Sequence, residues 1–466
     1  MSSLQITAIY YQTADVWSVQ LPAINAGGPY NITATSSAGS IGLTDVLFGD
    51  VWICSGQSNM QFTVSIMGFN ATEEELDAFN HPNIRVFTVA LGASPFKAWD
   101  LSGISEPWSV PSPDSIGGSY WSYFSDVCWL YGKYLSSHLK YPIGLIASPY
   151  GGTRVEAWSA PNVLKKCGVY DVSNVSDVSD AGDVSGIDPN ADSVVWNVMM
   201  RPFLNMTIYG IIWYQGESEA THPTSMNRYN CTFPAMIDDW RDRFHHSSFG
   251  QTNPLFPFGF VQLAPWRDNN VTMTGFTDIR WHQTADYGYV PNARMKNTFM
   301  AVAMDLPDFS SPWQSIHPRD KQDVSMRLCT AGLAVAYNQT HFSTLNGPYP
   351  SHFTILAQEE TVQITYDKVL EIRSKSGFEV TCVPSNSSSR PDDNSVWFPM
   401  PITSHDHTSV TLNYSQLCLR SRDMVVSAIR YAWRESPCPF KQCAVYNKDS
   451  GYPGPPFIRH VRQKDV

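Results

Sequence analysis

Five short, uninterrupted apolar runs constrain most strongly what this chain can fold into. They occupy residues 51–53, 143–147, 208–214, 258–263 and 299–304. A strand that is apolar on successive residues has to be covered on both faces, which an antiparallel sheet facing water does not provide. Between the runs lie stretches with helical spacing: Trp121, Phe124, Val127, Leu130 and Tyr134; Phe233, Met236, Ile237 and Trp240; Val324, Leu328, Leu333 and Val335. Buried strands alternating with helices predict a parallel sheet with crossover helices over residues 44–342. In such sheets ligands bind beyond the C-terminal ends of the strands.

The flanking regions read differently. Residues 1–43 alternate apolar and polar side chains, as in Trp17-Ser18-Val19-Gln20-Leu21, and are too short to bury a core of their own. They are expected to belong with an accessory β unit. Residues 343–466 return to strand patterns, at 361–366, 369–372, 378–382, 410–414 and 424–432, which predicts a small β-sandwich-like domain. The acidic, low-complexity stretch 171–186 reads as a solvated surface excursion.

Composition narrows the function classes. A net charge of −11 repels nucleic acid and anionic membrane, and no apolar run is long enough to cross a bilayer, so no membrane insertion is expected. Nine cysteines accompany nine Asn-x-Ser/Thr sequons, at Asn31, Asn70, Asn174, Asn205, Asn230, Asn270, Asn338, Asn386 and Asn413. Together they suggest an oxidising secretory route with disulfides, whose connectivity the spacing leaves open and whose odd number leaves one thiol over. Cys438 and Cys443 have no matching ligand pair nearby, so a zinc site is not expected. The first residues, MSSLQITAIYYQTADVW, lack the basic and apolar regions of a signal peptide, which would fit a trimmed start or an alternative cytosolic form.

Chemistry concentrates where the apolar runs stop. The first run ends in Gly56-Gln57-Ser58-Asn59-Met60, the second in Tyr150-Gly151-Gly152-Thr153, and the third in Gln215-Gly216-Glu217-Ser218-Glu219. The fifth ends in Asp305-Leu306-Pro307-Asp308, and its loop continues to Ser315-Ile316-His317-Pro318 before a helix. A serine, a glycine pair, an amide beside a carboxylate and a loop histidine are the parts of serine esterase chemistry: nucleophile, oxyanion donors and base. Each has a structural alternative, since serines sit in turns, glycine pairs in loops and glutamates at helix starts. Four such coincidences on strand ends are harder to accept than one.

These motifs, with Glu156-Ala157-Trp158, Trp213-Tyr214-Gln215-Gly216-Glu217 and His317-Pro318 leading into Lys321, resemble the sialate O-acetylesterase family of the SGNH hydrolases, in its animal-type, lysosomal or secreted form. The likeness continues through 258–263, 279–283 and the Cys-rich end. It implies a flavodoxin-like three-layer α/β/α fold with no cofactor or metal, and hydrolysis of acetyl esters on sialic acids, chiefly 9-O-acetyl groups on glycans. It also implies Ser58 as nucleophile and His317 as base, with the Ser58 N–H and one of Gly151 or Gly152 in the oxyanion hole. Gln215 is the expected third donor, because an ionised Glu217 would repel the oxyanion. Many SGNH hydrolases carry an aspartate three residues before the histidine, but here Gln314 stands there. Glu217 is the first choice for the triad acid, with Asp305 or Asp308 as alternatives. Arg154, Arg280 and Arg319 are unranked candidates for a substrate carboxylate. Two other functions stay open: an acetylxylan or general carbohydrate esterase, and a non-catalytic glycan-binding protein on a hydrolase scaffold.

Overall fold

The computed structural model describes residues 9–11, 16–68, 70–121, 123–169, 186–268, 271–356, 358–384, 395–415 and 424–460. The expected surface excursion at 171–186, the sequons at Asn174, Asn270 and Asn386, and Cys418 therefore lie outside the described residues, apart from Gly186. At the centre stands a seven-stranded sheet: β1 (Asp50–Gly56), β2 (Ile84–Val89), β3 (Ile104–Ser109), β4 (Ile143–Pro149), β5 (Gly210–Tyr214), β6 (Phe258–Gln262) and β7 (Thr298–Val302). Their spatial order is β7-β6-β5-β1-β4-β2-β3, all parallel except β3. All five apolar runs became strands, and every residue of β5, β6 and β7 is buried. Two strands were not among those runs. β2 is broken by Arg85 and Thr88, and β3 is an exposed edge interrupted by Pro107, so neither has the continuous apolar signature.

The strand order sets the position of the site. From β1 the chain winds outward to β2 and β3, returns to β4 on one side of β1, and then crosses to β5 on the other. The crevice at the C-terminal end of β1 is thus the point where the winding reverses, where this class of sheet leaves room for a ligand. Helices Asp126–Leu139, Tyr229–Ser247 and Lys321–Val335 cover the sheet. The first begins later than its apolar spacing suggests: Ser125 caps it by accepting from Cys128 N–H, and Trp121 stands outside it with a left-handed φ of 64°. A disulfide between Cys54 and Cys128 fastens β1 to this helix across 74 residues of chain. Closing a loop of that length stabilises a fold by roughly 4 kcal/mol on chain-entropy grounds.

Further disulfides join Cys167 to Cys231 and Cys438 to Cys443, and among the described residues Cys329 is a buried free thiol. The C-terminal region forms two four-stranded antiparallel sheets. Their spatial orders are Pro350–Leu356, Thr361–Tyr366, Ser409–Asn413, Ile402–His405, and Phe398–Pro399, Phe378–Pro384, Met424–Tyr431, Phe457–His460. Strands Gly27–Ser36 and Gly39–Phe48 pair with each other and with no other strand among the described residues. Arg280 ties the central and C-terminal regions together. Fully buried, it donates to the carbonyls of Leu263, Arg434 and Glu435.

Candidate active site

Ser58 opens a single helical turn, Ser58–Gln61, directly after β1. The exit is possible because Gly56 has a φ of 137° and a Cβ there would stand 2.2 Å from the Tyr214 carbonyl oxygen on β5. Gln57 secures the neighbouring loop, its side-chain oxygen accepting from the N–H groups of Gly216 and Ser218. Ser58 is left half-buried at the start of a helix, where its own N–H has no intrahelical partner.

His317 reaches it from the loop after β7. Its Nε2 lies 2.9 Å from Ser58 Oγ, and its Nδ1 lies 2.5 Å from the carbonyl oxygen of Trp313. A carbonyl can only accept, so Nδ1 carries the hydrogen and Nε2 of the neutral ring is free to take a proton from the serine. Burial holds the imidazolium below its ordinary range; the Trp313 carbonyl opposes this and the Lys321 ammonium adds to it. The ring is therefore a neutral base at and somewhat below pH 7.

None of the three carboxylates considered for the triad touches His317. Glu217 is buried and accepts from Asn59 Nδ2 at 2.6 Å. Asp305 is fully buried between Arg327 and the Tyr446 hydroxyl, at 2.5 and 3.0 Å. Asp308 pairs with Arg319 at 2.6 Å. Nδ1 meets instead a main-chain carbonyl four residues upstream, made available by the left-handed turn at Gln314, where φ is 69°. Side-chain reasoning could not have found it.

The glycine pair lies beside Ser58 as expected. A Cβ on Gly151 would come 3.0 Å from Gln61 Oε1 and 3.4 Å from Ser58 Cβ, which sets the loop directly against the serine's turn. Its N–H, however, donates to Gln61 Oε1 at 2.7 Å, whereas Gly152, with φ 75°, has open space around its Cα. Gln215 donates its amide hydrogens away from Ser58. It is fully buried, its amide donates to Thr153 O and Glu219 Oε2, and its oxygen accepts from Tyr229. An amide with both donors so engaged has none left for an oxyanion.

Two residues without an expected role hold the pair in register. Asn59, next to the serine, donates to the Ile316 carbonyl at 2.9 Å as well as to Glu217. Lys321, fully buried, donates to Asn59 Oδ1 at 2.7 Å and to the Pro318 carbonyl at 2.6 Å. The carbonyls on both sides of His317 are thereby clamped to the turn that carries Ser58. Burial lowers the lysine's proton affinity, countered by Asp126 and Glu217 nearby. Burial likewise raises Glu217, to about 6, and the Asn59 hydrogen bond and Lys321 limit the rise. The sequence did carry a signal for Lys321: it falls in helical register with Val324 and Leu328 on the buried face.

Among the candidate arginines, Arg280 is engaged in the interior and Arg319 with Asp308, while Arg154 donates to Ser225 Oγ and the Asn190 carbonyl. Among the described residues, no group of three or more His, Cys, Asp or Glu side chains could hold a metal ion.

A serine and a neutral histidine at the switch point of an α/β/α sheet define the esterase class of hydrolases, and the comparisons with known proteins fall there. Residues 48–311 match the model of the carbohydrate esterases described as sialic acid-specific acetylesterase, and residues 351–461 match the sialate O-acetylesterase C-terminal domain. The chain belongs to the sialate O-acetylesterase family. It is 43% identical over 454 residues to the sialate O-acetylesterase of Homo sapiens, covering 96% of this chain and 83% of that one. It is 40% identical over 481 residues to that of Mus musculus, covering 98% and 86%. Among solved structures, a carbohydrate acetylesterase from Xanthomonas citri superposes with a TM-score of 0.74 at 25% identity, over 96% of this chain and 89% of that one.

Proposed function

We propose that the protein hydrolyses O-acetyl esters of sialic acids, with Ser58 as nucleophile and His317 as the general base and acid. The observation that carries this reading is the 2.9 Å contact between Ser58 Oγ and His317 Nε2, with Nδ1 committed to a carbonyl. Ser58 Oγ attacks the acetyl carbonyl as Nε2 removes its proton. The N–H groups of Ser58 and Gly152 receive the oxyanion, and collapse of the intermediate expels the sugar oxygen, which takes the proton from Nε2. Water then repeats the sequence on the acetyl-serine, releasing acetate. The pair works without a carboxylate because Trp313 fixes the tautomer and the clamp through Asn59 and Lys321 fixes the ring's position.

The 44–342 segment is the catalytic unit in this reading, with 1–43 and 343–466 as flanking β regions. A secreted or lysosomal location is supported by the disulfides Cys54–Cys128, Cys167–Cys231 and Cys438–Cys443 and by exposed sequon asparagines at Asn31, Asn70, Asn205 and Asn338. No helix among the described residues is long and apolar enough to cross a membrane.

The test is acetate release from 9-O-acetylated and 4-O-acetylated sialosides, with acetylated xylose oligomers alongside, by wild type and Ser58→Ala. Wild type is expected to act on a sialoside in preference to the xylose oligomers, and Ser58→Ala to lose at least about 10³-fold in kcat while keeping its fold. Preference for xylose oligomers would make this a general carbohydrate esterase. Full activity in Ser58→Ala would overturn the assignment.

A further inference from the structure

In the reaction above the leaving group is a sugar, whose oxygen has to come within hydrogen-bond reach of His317 Nε2 to collect its proton. Whatever surrounds that imidazole therefore surrounds the sugar. The His317 ring meets the Trp121 indole edge to face with centroids 5.2 Å apart. Trp121 meets Trp313 at 6.2 Å, and Trp313 meets Tyr120 at 4.9 Å. Trp121 and Trp313 are half-buried, and Tyr120 is 60% exposed. Three aromatic rings thus lead from the base out to solvent.

We propose that Tyr120, Trp121 and Trp313 form a stacking platform for the apolar C–H face of the acetylated sugar. The inference rests on the esterase reading and adds the surface that selects a sugar over other acetyl esters. Two features of the backbone support it. Both tryptophans adjoin or occupy left-handed positions, with φ 64° at Trp121 itself and 69° at Gln314, next to Trp313. Bulky residues avoid this region unless their surroundings impose it, and such outliers gather at ligand sites.

Those surroundings come from the segment that carries the nucleophile. Trp121 N–H donates to Thr63 Oγ1, the Trp121 carbonyl accepts from Gln61 Nε2, and the Trp313 indole N–H donates to the Ile66 carbonyl. Gln61 is also the acceptor for Gly151 N–H, so the platform and the glycine loop share one anchor. Rings already fixed in place lose little freedom on binding, which favours their use as a flat recognition surface.

The test compares kcat/KM on an acetylated sugar with kcat/KM on ethyl acetate, which has no ring to stack. Wild type is assayed first on the acetylated sialosides and xylose oligomers, and the better sugar ester is used. In Tyr120→Ala and Trp121→Leu the sugar-to-ethyl-acetate ratio is expected to fall about tenfold, chiefly through KM. Trp99→Ala, an exposed indole that packs over Arg201 and takes no part in the ring contacts of Tyr120, Trp121 and Trp313, should keep the wild-type ratio. Tyr120 is the most exposed of the three rings, so Tyr120→Ala reads the platform even where Trp121→Leu folds poorly. A ratio within twofold of wild type in Tyr120→Ala overturns the platform and leaves the esterase reading standing. Failure of wild type on every acetylated sugar overturns both.

Discussion

After β7, Asp305 and Asp308 each close on an arginine; after β5, Glu217 and Glu219 are buried with no arginine among their hydrogen-bond partners. Burial pushes Asp308 up, but the hydrogen bonds from Arg319 outweigh it and leave the carboxyl below its usual value. With only amide and main-chain donors in place of an arginine, Glu217 rises to about 6, and Glu219 is raised by burial and by Glu156 beside it. Both loops place acids at the C-terminal edge of the sheet, yet neither offers one to His317. A carboxylate at a strand end is thus not a triad member by position alone. The β7 acids hold structure together, and Glu217 holds Asn59, which in turn holds the histidine loop.

The largest effect expected from this contrast is on stability. Asp305→Asn leaves the buried guanidinium of Arg327 without its counter-charge, a change that costs about 3–5 kcal/mol. The melting temperature should fall by roughly 5–8 °C, while the kcat of the folded fraction stays near wild type. A kcat loss of several orders of magnitude at unchanged stability would return Asp305 to the catalytic machinery.

Next is the clamp. Lys321→Met removes the donor to Pro318 and Asn59 and the positive charge that depresses His317. We expect kcat to fall about ten- to hundredfold and the acidic limb of kcat/KM to move to higher pH, since the base regains affinity for its proton. A limb that stays put or moves to lower pH would contradict the clamp's electrostatic part.

A smaller effect concerns pH and the fold as a whole. Glu106 and Glu217 are held at about 7 and about 6, in each case chiefly by burial, and Asp126 and Glu219 are raised for the same principal reason. Groups whose folded pKa exceeds the unfolded value stabilise most below the unfolded value, and that contribution is lost as pH rises through the folded one. His317 acts in the opposite sense but is a single group, and Lys321 stays largely charged below about pH 7.5. The melting temperature should therefore rise by about 5 °C from pH 7.5 to pH 5, the direction that suits an acidic compartment. A fall over the same interval, followed by differential scanning calorimetry, would contradict it.

Most of the sheet was legible because its strands are apolar on both faces, and Ser58, the glycine pair and His317 were legible because they follow those strands. The exceptions have physical causes. β3 is a polar edge with a proline, so it lacks the signature of a buried strand. Trp121 continues an apolar helical spacing but lies before the Ser125 cap, where its ring packs against His317 and the core residue Phe62 from outside the helix. The partner of Nδ1 is a main-chain carbonyl, a group every residue has and no side-chain pattern marks. Gln215 has the right chemistry for an oxyanion donor, and only the packing of Tyr229, Thr153 and Glu219 around it shows that the amide is occupied.

The smallest expected effect is the most direct test. Glu217→Gln keeps an oxygen that can accept from Asn59 and removes the charge. If Trp313 fixes the tautomer, kcat on an acetyl ester should stay within about tenfold of wild type, with an acidic limb still set by His317. A loss near 10⁴-fold, the size seen when a true triad carboxylate is neutralised, would mean that Glu217 serves His317 after all.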